Sequence, residues 1–187
     1  MAEITDVQTI YEGWANFHVA TVRREDGAIL SHVVEDHGNA VAVLPYDPVR
    51  GIAILVRQMR TPVLFAKADP RTLELPAGRA DHGSSEASVR AEALEEAGLR
   101  LSNLRLVVSA WTMPGVSTEC ADLYLAEFSD EDRVSSGGGL AHEDEDIEVV
   151  EVPLRDLAAM ADAGELRELK AFALLAALRL RRGDLFA

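Results

Sequence analysis

The chain has 187 residues, 48% of them apolar and 27% charged, and a formal net charge of -14. That length suits one globular domain with an appendage, and the composition excludes a disordered or membrane-embedded polypeptide. The charge argues against a nucleic-acid backbone or an anionic membrane as partner, because both would be repelled. A small phosphate compound stays admissible where cations intervene locally. The richest apolar run, residues 172–180, is interrupted by Arg179 and falls short of the roughly 20 residues that span a bilayer. The opening Met-Ala-Glu-Ile-Thr-Asp lacks the basic-then-apolar layout of a secretory signal. The single cysteine, Cys120, rules out an intramolecular disulfide and a cysteine-based zinc cluster. A cytoplasmic protein is the expectation.

In chain order, residues 16–23 alternate apolar and polar, Arg24-Glu25-Asp26-Gly27 offers an Asp-Gly turn, and residues 28–35 extend again, which predicts a β-hairpin. His37-Gly38-Asn39 is a break. Residues 40–44 and 52–56 are β-rich apolar runs joined by a turn at Asp47-Pro48-Val49-Arg50-Gly51. Residues 60–71, with Pro62 and Pro70, read as a loop, and Leu73-Glu74-Leu75 is a short run ending at Pro76. Ser84 or Ser85 caps a helix that runs to about Ala97 and ends at Gly98.

Residues 104–109 and 123–128 then read as strands. Ser135-Ser136-Gly137-Gly138-Gly139 begins a mobile loop that continues into the acidic residues 143–146. Residues 147–152 form a strand, and residues 154–161 and 165–182 form helices. The last helix places Leu166, Leu169, Ala173, Ala176, Ala177 and Leu180 on its expected buried stripe. Strands fill the first two-thirds and helices the end, so the fold class is α+β, a mixed β-sheet flanked by helices.

On the helix ending at Gly98, Glu92 and Glu96 are four residues apart and Glu95 is three from Glu92, so the three share a face. Like charges at that spacing cost roughly 0.2–0.5 kcal/mol per pair in an isolated helix. Seen alone, they would be a solvated acidic face. A hard cation such as Mg²⁺ reverses the sign of the arrangement, because it takes carboxylate oxygens and shares its other positions with substrate phosphates. Leu73-Glu74-Leu75-Pro76-Ala77-Gly78 delivers an extended segment into a glycine turn just before the helix. Glycine there permits close backbone approach, and the Ala77 carbonyl can serve as a neutral oxygen ligand.

Together, Gly78 and Ala91-Glu92-Ala93-Leu94-Glu95-Glu96-Ala97-Gly98-Leu99 resemble the Nudix box, a glycine followed by Arg-Glu-apolar-X-Glu-Glu-X-Gly-apolar. The spacing from Gly78 to Glu95-Glu96 is one residue short of the usual box, its early glutamate is replaced by the Ser84-Ser85 region, and its arginine by Ala91, with Arg90 alongside. In the family that arginine braces a catalytic glutamate. Further on, Trp111-Thr112-Met113-Pro114-Gly115-Val116-Ser117-Thr118-Glu119 resembles the segment that follows the box in nucleoside-diphosphate-sugar hydrolases. Gly137-Gly138-Gly139 with Glu143-Asp144-Glu145-Asp146-Ile147-Glu148-Val149 resembles the GDP-mannose pyrophosphatase branch, in which a box one residue short is usual.

This resemblance implies the Nudix fold, an α/β/α sandwich with an N-terminal antiparallel β-domain, here residues 1–38 ahead of a hydrolase domain over residues 39–187. It implies Mg²⁺, with Mn²⁺ as the alternative ion, and hydrolysis of a nucleoside diphosphate sugar, GDP-mannose foremost, to a nucleoside monophosphate and a sugar 1-phosphate. The Ala77 carbonyl, Glu92, Glu96 and Glu145 correspond to metal ligands. Glu96, Glu95 and Glu145 form the catalytic set, with Glu95 supporting or tuning the site. Arg60 corresponds to a phosphate contact, Glu119 to a sugar- or phosphate-side contact, and Lys170 to another substrate position, with Gly78 and Asp144 completing that side. Trp14 falls where an aromatic stacks on the base, or is a core or interface tryptophan. Ser31-His32 stands where relatives place basic and acidic substrate contacts. The resemblance further implies a homodimer in which the N-terminal domain crosses over. The rivals are an ADP-ribose pyrophosphatase, a catalytically weak Nudix-fold protein that binds a nucleotide, and an acidic interaction protein with no metal site.

Overall fold

The expected hairpin forms and gains a third strand. A computed structural model describes residues 1–140 and 146–187, and the chain divides into two compact units, residues 1–40 with 110–121 and residues 41–109 with 122–187. In the first unit, β1 (Glu3–Tyr11), β2 (Asn16–Arg23) and β3 (Ile29–Asp36) make an antiparallel sheet with β2 central. The β2–β3 turn falls at Asp26-Gly27, where the Gly27 N–H donates to the Arg24 carbonyl at 3.0 Å. β1 shows no clean alternation in sequence because its pairing shifts register twice, between Ile4 and Asp6 and between Thr9 and Tyr11. Each shift inserts a residue and breaks the two-residue period that marks a strand.

The second unit carries most of a seven-stranded mixed sheet. Its strands are β4 (Ala40–Asp47), β5 (Ile52–Met59), β6 (Arg71–Glu74), β7 (Ala77–Arg79), β8 (Leu104–Trp111), β9 (Cys120–Glu127) and β10 (Glu148–Pro153). The order is β10-β5-β4-β9-β8, with β6 paired to β5 and β7 to β4. Near-continuous burial of β4 and β5 explains their unbroken apolar runs, as expected of strands covered on both faces. Helices α1 (Thr61–Phe65), α2 (Ser85–Ala97), α3 (Leu154–Asp162) and α4 (Leu169–Arg181) complete the unit. Among the described residues no helix is long and apolar enough to cross a membrane.

Helix α1 lies inside the segment expected to be loop. Its proline sits at the start of the helix, where the missing N–H is no loss and the fixed φ favours a first turn. Helix α4 corrects the expected stripe. It starts at Leu169 rather than residue 165, capped by the Glu168 carboxylate, which accepts from the Lys170 and Ala171 N–H groups. The fully buried face is Ala171, Leu174, Leu175 and Leu178, while Leu169 and Leu180 are 67% and 88% exposed. Small alanines on several faces leave the apolar periodicity degenerate, and the leucines at i, i+1 and i+4 decide it.

The core beneath the candidate site joins α2 to the sheet. Val89, Ala93 and Ala97 on one face of α2 pack in a single buried cluster with Val41, Val43, Ile52, Ile54, Tyr124 and Ala126. Burying Val89 contributes about 1.5–3 kcal/mol, and the two alanines let the helix lie close to the strands. The helix is thereby fixed against the sheet through the face adjacent to Glu92 and Glu96.

Candidate active site

Helix α2 is punctuated at both ends. Ser84, in extended conformation, is the N-cap and accepts from the Ala87 N–H at 3.2 Å. Gly98 ends the helix in the left-handed region at φ 69°, and its N–H reaches the Ala93 and Leu94 carbonyls. Between these caps, Glu96 is only 2% exposed, and its carboxylate accepts from the Ala77 N–H at 2.9 Å. One turn earlier, Glu92 lies against Gly78, where a Cβ would fall 1.9 Å from Glu92 Oε1. The short strand β7 and the glutamate helix therefore meet through main chain on one side and carboxylates on the other. Glu95, on the same helix, is partly exposed.

The far end of α2 is held by the glycine run, which the sequence pattern assigned to a mobile loop. The Gly138 and Gly139 N–H groups donate to the Glu96 and Glu95 carbonyls at 2.9 and 3.0 Å. Gly137 has φ 65°, and a Cβ on it would lie 2.4 Å from the Glu96 carbonyl oxygen. The segment thus satisfies carbonyls that a helix end otherwise leaves open. Gly137→Ala is expected to cost at least about 2 kcal/mol, from left-handed strain plus a clash with main chain. A lower urea midpoint with an unchanged slope would register it.

Arg90, beside the alanine that replaces the box arginine, is engaged elsewhere. Its guanidinium bonds the Leu101 carbonyl and pairs with Glu86 at 3.5 Å. Arg60 is also committed: its Nε and Nη2 donate to the two oxygens of Glu74 at 2.9 and 2.7 Å. Burial pushes the Glu74 carboxyl up, but Arg60, Thr72 and the field of Lys170 outweigh it and hold it below its usual 4.5. The Glu74 hydrogen bonds raise the Arg60 guanidinium against burial, and the charges of Glu74, Glu96 and Glu168 add to that rise. Lys170 pairs with Glu168 at 2.8 Å. Arg60, Glu96 and Lys170, singled out separately in the sequence, are thus linked electrostatically through Glu74 and Glu168. The pair occupies two of the five donors of Arg60.

Glu74 was not among the expected site residues. Its signal was a lone acid between two leucines in a strand-like run, and its partner is 14 residues upstream. Arg60→Ala strips this buried carboxylate of its main partner. The expected loss is about 1–2 kcal/mol, less than for a fully buried pair because the Arg60 side chain is 42% exposed. A carboxyl held below 4.5 stabilises fully above that value and loses its contribution as pH falls through its lower folded value. Acid unfolding of the Arg60→Ala protein should therefore lose this component of its pH dependence.

In the N-terminal unit, Trp14 and Glu119 come together through a residue that the sequence pattern treated only as a break. The His37 ring stacks on the Trp14 indole with centroids 4.9 Å apart and planes at 19°. His37 Nε2 lies 2.8 Å from Glu119 and Nδ1 lies 2.5 Å from Glu35. His32 is exposed on β3, opposite Ala20 of β2, and has no part in the cluster. Glu145 and Asp144 lie outside the described residues. Among the described residues, no group of three or more His, Cys, Asp or Glu side chains is gathered as a metal site. Glu92, Glu96 and the Ala77 peptide offer only hard oxygen ligands, and Gly78 leaves room for a carboxylate directly beside the chain. That donor chemistry fits a divalent cation of the Mg²⁺ class.

Strand β7, the glutamate helix and the sheet behind them define a protein of the Nudix class, and comparison with known proteins agrees. No family model matches the chain. Curated proteins do: it is 36% identical to the GDP-mannose pyrophosphatase of Citrobacter koseri over 155 residues, covering 81% of this chain and 80% of that one. It is 37% identical to that of Cronobacter sakazakii over 161 residues, covering 84% and 83%. Among solved structures, an ADP compounds hydrolase superposes with a TM-score of 0.77 over 98% of this chain and 95% of its own, at 16% identity, a likeness of fold. The chain belongs to the Nudix hydrolase family.

Proposed function

We propose that this protein hydrolyses the diphosphate bond of a nucleoside diphosphate sugar, with GDP-mannose as the favoured substrate, in a Mg²⁺-dependent reaction. The observation that carries the reading is the buried Glu96 carboxylate, anchored to the Ala77 N–H and one turn from Glu92 at Gly78. The GDP-mannose pyrophosphatases it resembles over four-fifths of their length support the choice of substrate. In the reaction, water oxygen bonds to one phosphorus and the bridging oxygen leaves with the other phosphate, giving nucleoside monophosphate and sugar 1-phosphate.

Glu92, Glu96, the Ala77 carbonyl and Glu145 are the residues that would hold the ion. When bound, it supplies neutralisation of the diphosphate and a more acidic water. Glu96 is held by its Ala77 hydrogen bond, so little reorientation is needed for it to act as a ligand. Arg60, oriented by Glu74, presents its remaining donors as a clamp for a phosphate oxygen. Glu95 tunes the field at the helix, and a carboxylate among Glu95, Glu96 and Glu145 takes the water proton. Lys170, Gly78 and Asp144 belong to the substrate side, and Trp14 and Glu119 are the substrate contacts proposed for the N-terminal unit by itself.

The same reading makes residues 1–38 a dimerisation region and the protein a cytoplasmic homodimer. Ile4, Val7, Ile10, Ile29 and Val33 expose apolar surface on the three-stranded sheet, which supports a protein partner there. A second reading, a catalytically weak nucleotide-binding protein, is favoured by one observation: Ala91 stands in place of the box arginine, while the neighbouring Arg90 bonds the Leu101 carbonyl and pairs with Glu86. A panel of GDP-mannose, ADP-ribose and other nucleotide sugars, with and without Mg²⁺ or Mn²⁺, decides the matter. Fastest Mg²⁺-dependent turnover on GDP-mannose supports the first reading, and preference for ADP-ribose moves the substrate to the alternative. Tight binding without turnover supports the second.

A further inference from the structure

His37 sits where two carboxylates and an indole converge, all within the N-terminal unit. The segment bearing Glu119 is stitched to the end of β3. The Glu35 N–H donates to the Val116 carbonyl at 2.8 Å, and the Thr118 N–H donates to the Glu35 carbonyl at 3.0 Å. The Thr118 hydroxyl donates to Asp36 at 2.7 Å. His37, Glu35 and Glu119 are each largely buried within this frame. A neutral imidazole has one donor and one acceptor nitrogen, so it can serve only one of the two carboxylates and must turn a lone pair toward the other. The imidazolium donates to both. Its positive ring also lies against the indole face, an attraction the neutral ring largely lacks.

We propose that His37, as the imidazolium, is a positioning residue that clamps Glu119 and braces the Trp14 indole in the arrangement that binds the nucleotide sugar. This rests on the functional reading above for the role of Trp14 and Glu119, while the clamp itself rests on geometry. The charged groups facing His37 are Glu35 and Asp36 of β3 and Glu119 of the stitched segment, and the field of Asp36 also reaches His18 of β2, itself 3.0 Å from the Thr9 hydroxyl of β1. Burial pushes the imidazole down, but Glu35 and Glu119 outweigh it and raise it above 6.5. Because the folded value is raised, the clamp is complete below 6.5 and is released as pH rises through the folded value.

The test uses the whole 187-residue chain and three readouts. Proton NMR follows the His37 ring, assigned by its disappearance in His37→Gln. Fluorescence of the Trp111→Phe variant, which leaves Trp14 as the one tryptophan, reports the stacked ring, because an imidazolium quenches indole emission and a neutral ring does not. Steady-state kinetics on GDP-mannose from about pH 6 to about pH 9 separates KM from kcat. The clamp predicts a His37 midpoint above 6.5, matched by a rise in Trp14 emission. KM should rise by about tenfold through that midpoint with kcat unchanged by it. His37→Gln should show a high, pH-flat KM, and His37→Arg, a permanent cation with several donors, should keep KM low across the range.

A His37 midpoint at or below 6.5, Trp14 emission that ignores it, or the same KM profile in wild type and His37→Gln overturns the proposal. Absence of turnover on every nucleotide sugar instead sinks the functional reading, and the NMR and fluorescence midpoints still decide the clamp.

Discussion

Glu96→Gln is expected to lower kcat on GDP-mannose by about a thousandfold while the protein stays folded, since loss of a cation contact removes several kcal/mol of transition-state stabilisation. The substitution is chosen for what it keeps. Glutamine has the same shape and still offers an oxygen to the Ala77 N–H, the 2.9 Å bond that ties α2 to β7. It removes the charge, which is the property a cation needs. Glu96 is almost completely buried, so a shape-preserving change is essential: a shorter side chain would add a cavity and confuse stability with chemistry. A thermal midpoint close to wild type alongside the loss of turnover checks the expectation. Unchanged turnover would remove Glu96 from the ligand set.

Gly78→Ala is the second large effect, and it acts through Glu92. The added methyl would fall 1.9 Å from Glu92 Oε1 and 2.2 Å from its Cδ, so the carboxylate has to swing away. The atoms that must move belong to the end of a flexible side chain, and no left-handed backbone stands in the way. The expected cost in stability is therefore small, about 1 kcal/mol or less. Activity should fall at least about a hundredfold, because a displaced Glu92 could not hold the proposed ion in a geometry that tolerates little error. The contrast with Gly137→Ala is diagnostic. There the obstruction is the Glu96 carbonyl and the backbone is left-handed, so stability suffers first. Parallel urea unfolding and initial rates on the two variants separate the roles of the two glycines.

The frame of the candidate site is legible in the sequence because its signals are local. Ser84, Gly98, Glu92 and Glu96 lie within fifteen residues, and caps and helical spacing act over that range. The strands with unbroken apolar runs were legible for the same reason, since burial on both faces of β4 and β5 writes itself directly into composition. What escaped depends on distant partners or on local signals with two meanings. His37 gains its place from Glu119, 82 residues away, and nothing in His37-Gly38-Asn39 announces it. Glu74 takes its main partner from Arg60, 14 residues upstream and just past the end of β5. Pro62 carries both a loop and a helix-start meaning, and the structure takes the second. The glycines at 137–139 suggest a mobile loop, and their close approach to the end of α2 is a second use that the sequence does not announce. β1 lost its alternation to two register shifts.

The charge of the whole chain fits the same account. A protein at -14 repels a diphosphate at long range, so its site must invert the field locally. Arg60 and Lys170 each stand beside a carboxylate, Glu74 and Glu168, and these two pairs leave little net positive charge. A divalent ion on Glu92 and Glu96 would supply the missing cation. Phosphorus NMR of GDP-mannose incubated with the protein tests this most directly. The account predicts GMP and mannose 1-phosphate in equal amounts with Mg²⁺ present, and no products once the ion is removed by a chelator. Equal turnover with and without the ion, or release of GDP and free mannose, would contradict it.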